Sequence, residues 1–190
     1  MASLLLIRHS IPEPEATAPA SQWRLSHRGR GRCEELAKHM EKYNLGLVVS
    51  SFEAKAIETA KLTAAHLSIP TEIAFGIHEH ERSNVGFLPS QELFRARVAE
   101  FFDRLDEVVF GNESAAQALA RFTAAIDALI ATYGEESFGV VTHGTMMSLY
   151  VAELMGSAAY DLWQRLDMPA YVRIALPQRE VVEIVESLNL

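Results

Sequence analysis

Hydrophobic residues in this chain gather in short continuous runs, and longer amphipathic stretches separate those runs. Continuous apolar runs are typical of strands buried on both faces of a sheet, whereas amphipathic stretches are typical of the helices that cover it. The runs predict strands at residues 3–8, 45–50, 71–73, 138–142, 171–176 and 181–187. The amphipathic stretches predict helices from 26 to about 43, from 53 to 67, at 90–106, at 114–133 and from 145 to about 155.

Strands that alternate with helices predict a three-layer α/β fold, in which helices flank a mostly parallel central sheet. The last two predicted strands flank Pro177 and are expected to form a hairpin that adds an antiparallel edge. No repeat or shift in composition divides the chain, so residues 1–190 are predicted to form a single domain.

Two of the predicted strands end on a histidine. One runs from Leu4 through Arg8 to His9, and the other runs from Phe138 to His143, directly before Gly144. Open α/β sheets bind their ligands at the carboxyl ends of the strands. If the two strands are neighbours, they bring together two imidazoles, an arginine and the start of a helix. That combination is suited to a phosphate site that also carries a nucleophile.

These two motifs resemble those of the histidine phosphatase superfamily, the phosphoglycerate-mutase-like proteins named for an Arg-His-Gly motif near the N-terminus. Three further segments resemble that family's helix start, its second phosphate-binding segment and the surroundings of its acidic residue: Leu25–Arg30, Ser50–Ala60 and Ile77–Glu79. Together the motifs cover residues 4 to about 155 in the family's order. The resemblance implies a phosphoglycerate-mutase-like fold and phosphoryl-transfer chemistry.

The chain departs from the family's pattern at three places. Ser10 stands where the motif has glycine, Lys55 stands where it has arginine, and residues 11–15 hold no match to an asparagine that commonly follows the first motif. A guanidinium binds two oxygens through a planar fork, whereas an ammonium is a flexible point charge. Lys55 is therefore expected to be the weakest of the phosphate ligands.

The resemblance implies that His9 is the nucleophile and becomes a phosphohistidine, and that Glu79 and His143 take part in catalysis. The implied phosphate-binding residues are Arg8, Lys55, His143 and Gly144. A neutral imidazole nitrogen is nucleophilic near neutral pH, and adjacent cations disfavour its protonation.

A carboxylic acid is needed to protonate the leaving alkoxide, and the segment from His78 to Arg82 offers two. In an extended segment, Glu79 and Glu81 lie on one side and the histidines lie on the other, so the residues alone leave the choice open. The resemblance favours Glu79, whose pKa would have to be raised by crowding from Glu81 or phosphate. Further candidate substrate contacts are Ser10, His80, Glu81 and Arg82.

A wall that encloses the substrate is expected from residues 83–115. It includes Asn84, Phe87, Phe94, Phe101 and Phe102, and most of these phenylalanines are interpreted as core rather than as ligand contacts. Ser114 is interpreted first as a helix cap.

Composition and charge exclude several classes of protein. A net charge of −8 argues against nonspecific nucleic-acid binding, and no apolar run approaches the roughly 18 residues of a membrane span. Cys33 is the only cysteine, so it is interpreted as a packed thiol without an internal disulfide. A cytoplasmic protein is the simplest interpretation. Neither a metal nor another cofactor is expected, because the histidines lack metal-ligand spacing. The expected partner is a small phosphorylated substrate, and a homo-oligomer stays open.

The leading functional hypothesis is a metal-independent phosphatase that acts on a small phosphorylated metabolite. A phosphoglycerate mutase is the enzymatic alternative, but the 190-residue chain leaves little sequence for a lid that excludes water. A third hypothesis, motivated by Ser10 and Lys55, is a phosphate-binding or partner-binding protein with a degenerate site.

Overall fold

The computed structural model describes residues 2–86, 88 and 90–188. Its strands, in chain order, are β1 Ser3–Arg8, β2 Leu47–Ser50, β3 Thr71–Ile73, β4 Phe138–Thr142, β5 Ala170–Ala175 and β6 Glu180–Val185. They form one mixed sheet in the order β3-β2-β4-β1-β5-β6. The strands β3, β2, β4 and β1 are parallel, and β5 and β6 add the predicted antiparallel edge.

Helices cover both faces of this sheet. They are α1 His27–Met40, α2 Ala54–Leu67, α3 Gln91–Asp103, α4 Ala115–Tyr133, α5 Gly144–Met155 and α6 Ala159–Arg165. Alternate β1 residues face opposite layers: Leu5 packs in a core with residues of α1 and α2, and Leu4 packs in a core with residues of α3 to α6. The predicted three-layer α/β fold is confirmed.

The centre of the sheet explains the continuous apolar run near the N-terminus. Strand β1 lies between parallel β4 and antiparallel β5, so its backbone is paired on both sides. Its residues from Leu4 to Ile7 have no exposed surface. In the parallel pair, Arg8 is level with Thr142, so both strands end at the same edge.

Serine side chains cap the starts of α1 and α4. The Ser26 side chain accepts a hydrogen bond from the Gly29 amide at 3.0 Å and caps α1. Ser114 and Gln117 form a reciprocal capping box at α4, which confirms the interpretation of Ser114 as a cap. Cys33 is buried, as predicted, and burial raises the pKa of its thiol to about 12.

The observed helices differ from the predicted ones in two places. The first helix ends at Met40, and a 3₁₀ turn over Glu41–Tyr43 replaces its last predicted turn. Helix α6 was not predicted, since it has seven residues and no side-chain cap. A helix this short depends on tertiary packing, here through buried Leu162. Phe87 lies outside the described residues. Within the described chain, no helix is long and apolar enough to cross a membrane.

Candidate active site

The pairing of β1 with β4 brings the two motif histidines together. The amide of His9 donates to the carbonyl of Thr142 at 3.0 Å, which extends the strand ladder by one residue. The rings of His9 and His143 lie with centroids 5.1 Å apart, and both side chains are buried. The predicted neighbour relation of the two strands is confirmed.

The hydrogen bonding of His9 defines its tautomer. Its Nδ1 lies 2.8 Å from the carbonyl oxygen of Ser10, and a carbonyl only accepts hydrogen bonds. Nδ1 therefore carries the proton, and Nε2 keeps its lone pair. Burial, followed by neighbouring His143 and Lys55, holds the pKa of His9 well below its usual value. His9 is thus neutral at neutral pH, and the lone pair of its Nε2 is available as a nucleophile.

Arg8 lies against the N-terminus of α5. Its guanidinium donates to the carbonyl of Leu166, and a Cβ at Gly144 would lie 3.0 Å from the Arg8 Cζ atom. A larger residue than glycine would therefore require the guanidinium to shift by a few tenths of an ångström. The structure gives Gly144 the role of admitting Arg8 to the helix start.

Lys55 lies at the start of α2 and is buried together with Glu53. Its Nζ donates to the carbonyl of Ala20 at 2.8 Å and to the Glu53 carboxylate. Residues two apart do not meet on a helix surface, but Glu53 is the N-cap residue with an extended backbone. The sequence pattern identified Lys55 but not Glu53, because the helical periodicity does not bring residues 53 and 55 together.

The Glu53 carboxylate reaches further into the site. Its Oε1 accepts from the Glu79 amide at 2.9 Å and lies 3.4 Å from Nε2 of His143. Burial alone would raise the pKa of Glu53, but the charge and hydrogen bond of Lys55 outweigh burial and lower it. Glu53 is therefore an ionised carboxylate beside two predicted site residues.

Glu79 is held at the same strand edge by backbone amides. Its Oε1 accepts from the amide of His80 at 2.9 Å, and its Oε2 accepts from the amide of Thr145 at 3.4 Å. Burial would raise the pKa of Glu79, but Arg82, His143 and the His80 amide lower it overall. Glu79 is therefore a carboxylate before any substrate enters.

Glu81 does not crowd Glu79, so that expectation was wrong. The segment bends at Gly76 and His78 rather than forming a strand. Arg121 donates to the carbonyls of Gly76 at 2.7 Å, His78 at 3.2 Å and Glu79 at 3.3 Å and holds this conformation. Glu81 is exposed, and its carboxylate lies 3.0 Å from Nε2 of His78. The expected alternation of acids and histidines therefore does not occur, and Arg121 is a positioning residue that sequence reasoning missed.

Two other candidate substrate contacts serve the fold. The Ser10 hydroxyl donates to the carbonyl of Gly29 at 2.7 Å, and its amide donates to Oγ1 of Thr59 at 3.0 Å. The buried His80 ring packs against Phe101, with centroids 4.1 Å apart, and its Nε2 lies 3.2 Å from the carbonyl of Glu113. The polar groups of Ser10 are used within the fold, whereas Nδ1 of His80 is buried without a hydrogen-bond partner among the described residues.

Several buried polar atoms around Glu79 and His143 have no hydrogen-bond partner among the described residues: Arg8 Nε, Arg82 Nη1, His143 Nδ1 and Thr145 Oγ1. Buried polar groups are normally paired, so unpaired ones need an explanation. Arg82 interacts electrostatically with Glu79 and His143. Its guanidinium packs on the Phe94 ring, with Cζ 5.0 Å from the ring centroid. Of the four candidate substrate contacts, Arg82 is the one that the structure brings to the site.

The wall residues have structural contacts. Asn84 donates to the carbonyl of Gly111 at 3.0 Å, and Phe94 lies 6.0 Å from Trp163 between ring centroids. Phe101 is fully buried. These contacts fasten the segment between β3 and α4 to α6 and to the core.

The family model for the histidine phosphatase superfamily (branch 1) matches residues 4–186. The chain belongs to the histidine phosphatase superfamily. The resemblance carried by its short motifs is thereby confirmed over nearly the whole sequence. Among curated protein sequences, none matches this superfamily member significantly.

Solved structures share the histidine phosphatase fold. A phosphoserine phosphatase from Entamoeba histolytica matches with a TM-score of 0.78 at 16% identity, over 99% of this chain and 98% of that one. An alpha-ribazole phosphatase from Shigella flexneri gives 0.74 at 21% identity, over 98% and 96%. A mycobacterial glucosyl-3-phosphoglycerate phosphatase gives 0.72 at 19% identity, over 90% and 89%. These neighbours are phosphatases of small metabolites.

The buried neutral histidines predict a pH-dependent stability. Burial and Lys55 hold the pKa of His143 well below its usual value, so the unfolded chain binds a proton near pH 6.5 that the folded chain does not. The free energy of unfolding is therefore expected to fall as pH drops below about 6.5, by at most about 1.4 kcal/mol per pH unit for each such histidine. Urea unfolding between about pH 5 and pH 8 measures this slope.

His143→Gln is expected to reduce that slope, because it removes one of the groups concerned. The same substitution at His27, whose side chain is exposed, is the control. An unchanged slope in His143→Gln would show that His143 takes up a proton in the folded state as readily as in the unfolded chain.

Proposed function

We propose that this protein is a phosphatase that hydrolyses a small phosphorylated metabolite through a phosphohistidine at His9. The tautomer of His9 is the main support. Its Nδ1 donates to the Ser10 carbonyl, which leaves the lone pair of Nε2 free to attack. The unpaired donors of Arg8, Arg82 and Thr145 supply the second support. They are the groups that an anion would satisfy.

In the first step, Nε2 of His9 attacks phosphorus, an N–P bond forms, and the ester P–O bond breaks. Arg8, Lys55 and the amides at the start of α5 compensate charge on the equatorial phosphoryl oxygens. The Ser51 hydroxyl accepts from the Glu53 amide at 3.2 Å, so its hydrogen can be donated to His143 Nε2 at 2.9 Å. Nδ1 of His143 then carries a proton for another phosphoryl oxygen.

The leaving alkoxide takes a proton from Glu79 in this proposal. Glu79 has a lowered pKa without substrate, but a phosphoryl group beside its carboxylate would raise that pKa by repulsion. Glu79 is thereby expected to hold the proton of the bound complex by the time the ester P–O bond breaks. In the second step, Glu79 accepts a proton from water, water attacks phosphorus, and the N–P bond breaks to release phosphate.

The substrate class is proposed from two observations. Structural neighbours include phosphatases of phosphoserine and glucosyl-3-phosphoglycerate, and the site is assembled from buried side chains near a strand edge. Hydrolysis is therefore proposed over phosphoryl transfer between substrates.

His9→Ala is expected to abolish hydrolysis of p-nitrophenyl phosphate and of a panel of phosphorylated metabolites, because the nucleophile is removed. Mass spectrometry of base-quenched wild-type enzyme should find the phosphoryl group on His9. His66→Ala, which removes an exposed histidine of α2, should keep wild-type turnover. Wild-type turnover in His9→Ala would rule out the covalent mechanism.

Lys55→Met is expected to lower kcat/KM by about 10²-fold or more, because loss of one charge-stabilising donor costs roughly that much. Lys61→Met removes an exposed lysine from the same helix and should leave kcat/KM unchanged. If wild type binds inorganic phosphate yet hydrolyses nothing in the panel, the alternative of a phosphate-binding protein is favoured instead.

Activity is expected to survive chelation, since Arg8, Lys55 and the start of α5 supply the positive charge that a metal would otherwise bring. Initial rates with p-nitrophenyl phosphate should be equal before and after dialysis against EDTA. Loss of activity that added zinc or magnesium restores would contradict this prediction.

A further inference from the structure

A second carboxylate lies within the proposed phosphate site, and the mechanism above does not use it. Glu53 is buried, and its two oxygens are bound by different groups: Lys55 holds Oε2, and the Glu79 amide holds Oε1. The same Oε1 lies 3.4 Å from His143 Nε2. Glu53 therefore borders the cation and the imidazole that are proposed to hold the phosphoryl group.

The charges of the site do not suit a fully ionised phosphate. Among the described site residues, Arg8, Lys55 and Arg82 are cations, Glu53 and Glu79 are carboxylates, and both motif histidines are neutral. A phosphoryl dianion added to this set leaves one unbalanced negative charge in a buried site. Unbalanced buried charge is costly, and uptake of one proton removes it.

The carboxylate also lies where a phosphoryl group would meet Lys55. Ala20 and Glu53 use two of the three N–H groups of Nζ, so a phosphoryl oxygen on the third N–H lies close to the Glu53 oxygen. Two like-charged oxygens at one ammonium repel each other unless one is protonated, and a shared proton converts the repulsion into a hydrogen bond.

We propose that Glu53 makes the site bind a phosphoryl group together with one proton, shared between the Glu53 carboxylate and a phosphoryl oxygen. This inference rests on the proposed phosphatase function and deepens it. Glu53 is thus a specificity-determining residue that favours protonated over fully ionised phosphate. The proton enters with the substrate as a monoanion or from solvent on binding, and in turnover the same proton passes to Glu79 before the ester P–O bond breaks.

Glu53 meets titratable groups from every part of the site. Lys55 belongs to its own loop and helix start, His9 follows β1, and His143 follows β4. Glu79 and His78 lie on the segment after β3. A pH dependence must therefore be assigned to Glu53 by substitution rather than by its position alone.

Sulfate is the probe, because it stays a dianion across the working pH range and cannot carry the proton itself. Calorimetric titration of the wild type in two buffers of different ionisation enthalpy should show uptake of close to one proton per sulfate. Its Kd should rise with pH between about pH 5 and pH 7.5, by up to about tenfold per unit. This measurement needs no variant.

Glu53→Gln is nearly isosteric and removes the negative charge. It is expected to bind sulfate roughly tenfold more tightly at pH 7.5, with a flatter pH dependence, because a buried like charge shifts a titration by a pH unit or more. Glu34→Gln, which removes a carboxylate from an exposed pair with Lys38, is the matched control and should bind as wild type does. Thermal unfolding checks that both variants are folded.

Sulfate binding without proton uptake in the wild type would overturn the inference. So would a Glu53→Gln variant that binds sulfate no more tightly than wild type, or a Glu34→Gln control that tightens equally. If wild type still hydrolyses p-nitrophenyl phosphate in those cases, the proposed phosphatase function stands and only the role of Glu53 fails. A wild type that neither hydrolyses phosphate esters nor binds sulfate would instead remove the proposed function.

Discussion

The parallel pairing of β1 with β4 is the constraint on which the site depends. Both strands are buried, so their backbone groups must be satisfied by neighbouring strands, and the ladder fixes their relative register. Arg8 is level with Thr142, and the residue that follows each of them is a histidine. A slip of one residue along β4 would displace one ring by about 3.3 Å and turn its side chain to the other face.

The positive groups at this edge of the sheet lie beside carboxylates. Lys55 is buried beside Glu53, and Arg82 interacts with Glu79, so both of these cations have an acidic neighbour in the ligand-free protein. Buried charges without partners would destabilise the fold. The pairing that stabilises the ligand-free site also places a negative charge beside the proposed phosphate. Glu53 is therefore proposed to stabilise the fold through Lys55 and to weaken the binding of fully ionised anions.

The elements were largely predictable because burial and capping are local signals. Four consecutive fully buried residues in β1 appear in the sequence as one apolar run, and Ser26 and Ser114 start their helices as their side chains predict. Helix α6 lacked such a signal. Arg8, His9 and His143 were identified because a strand end fixes where a side chain lies.

The contacts made by irregular segments were not predictable in the same way. Glu53 reaches Lys55 because its own backbone is extended at the helix cap, and Glu81 lies away from the site after a bend at His78 that Arg121 stabilises. Both results depend on which distant groups satisfy a backbone carbonyl or a side-chain charge. A period of two or of 3.6 residues contains no such information.

Arg82 connects the two halves of the proposed active site. Its charge lowers the pKa of Glu79, while its guanidinium packs on the Phe94 ring of α3, which lies in the segment between β3 and α4. Phe94 in turn contacts Trp163 of α6. A change in how α3 packs is therefore expected to move Arg82, the cation that lowers the pKa of Glu79. The proposed chemistry at the strand ends is in this way linked through one side chain to the packing of α3 against α6.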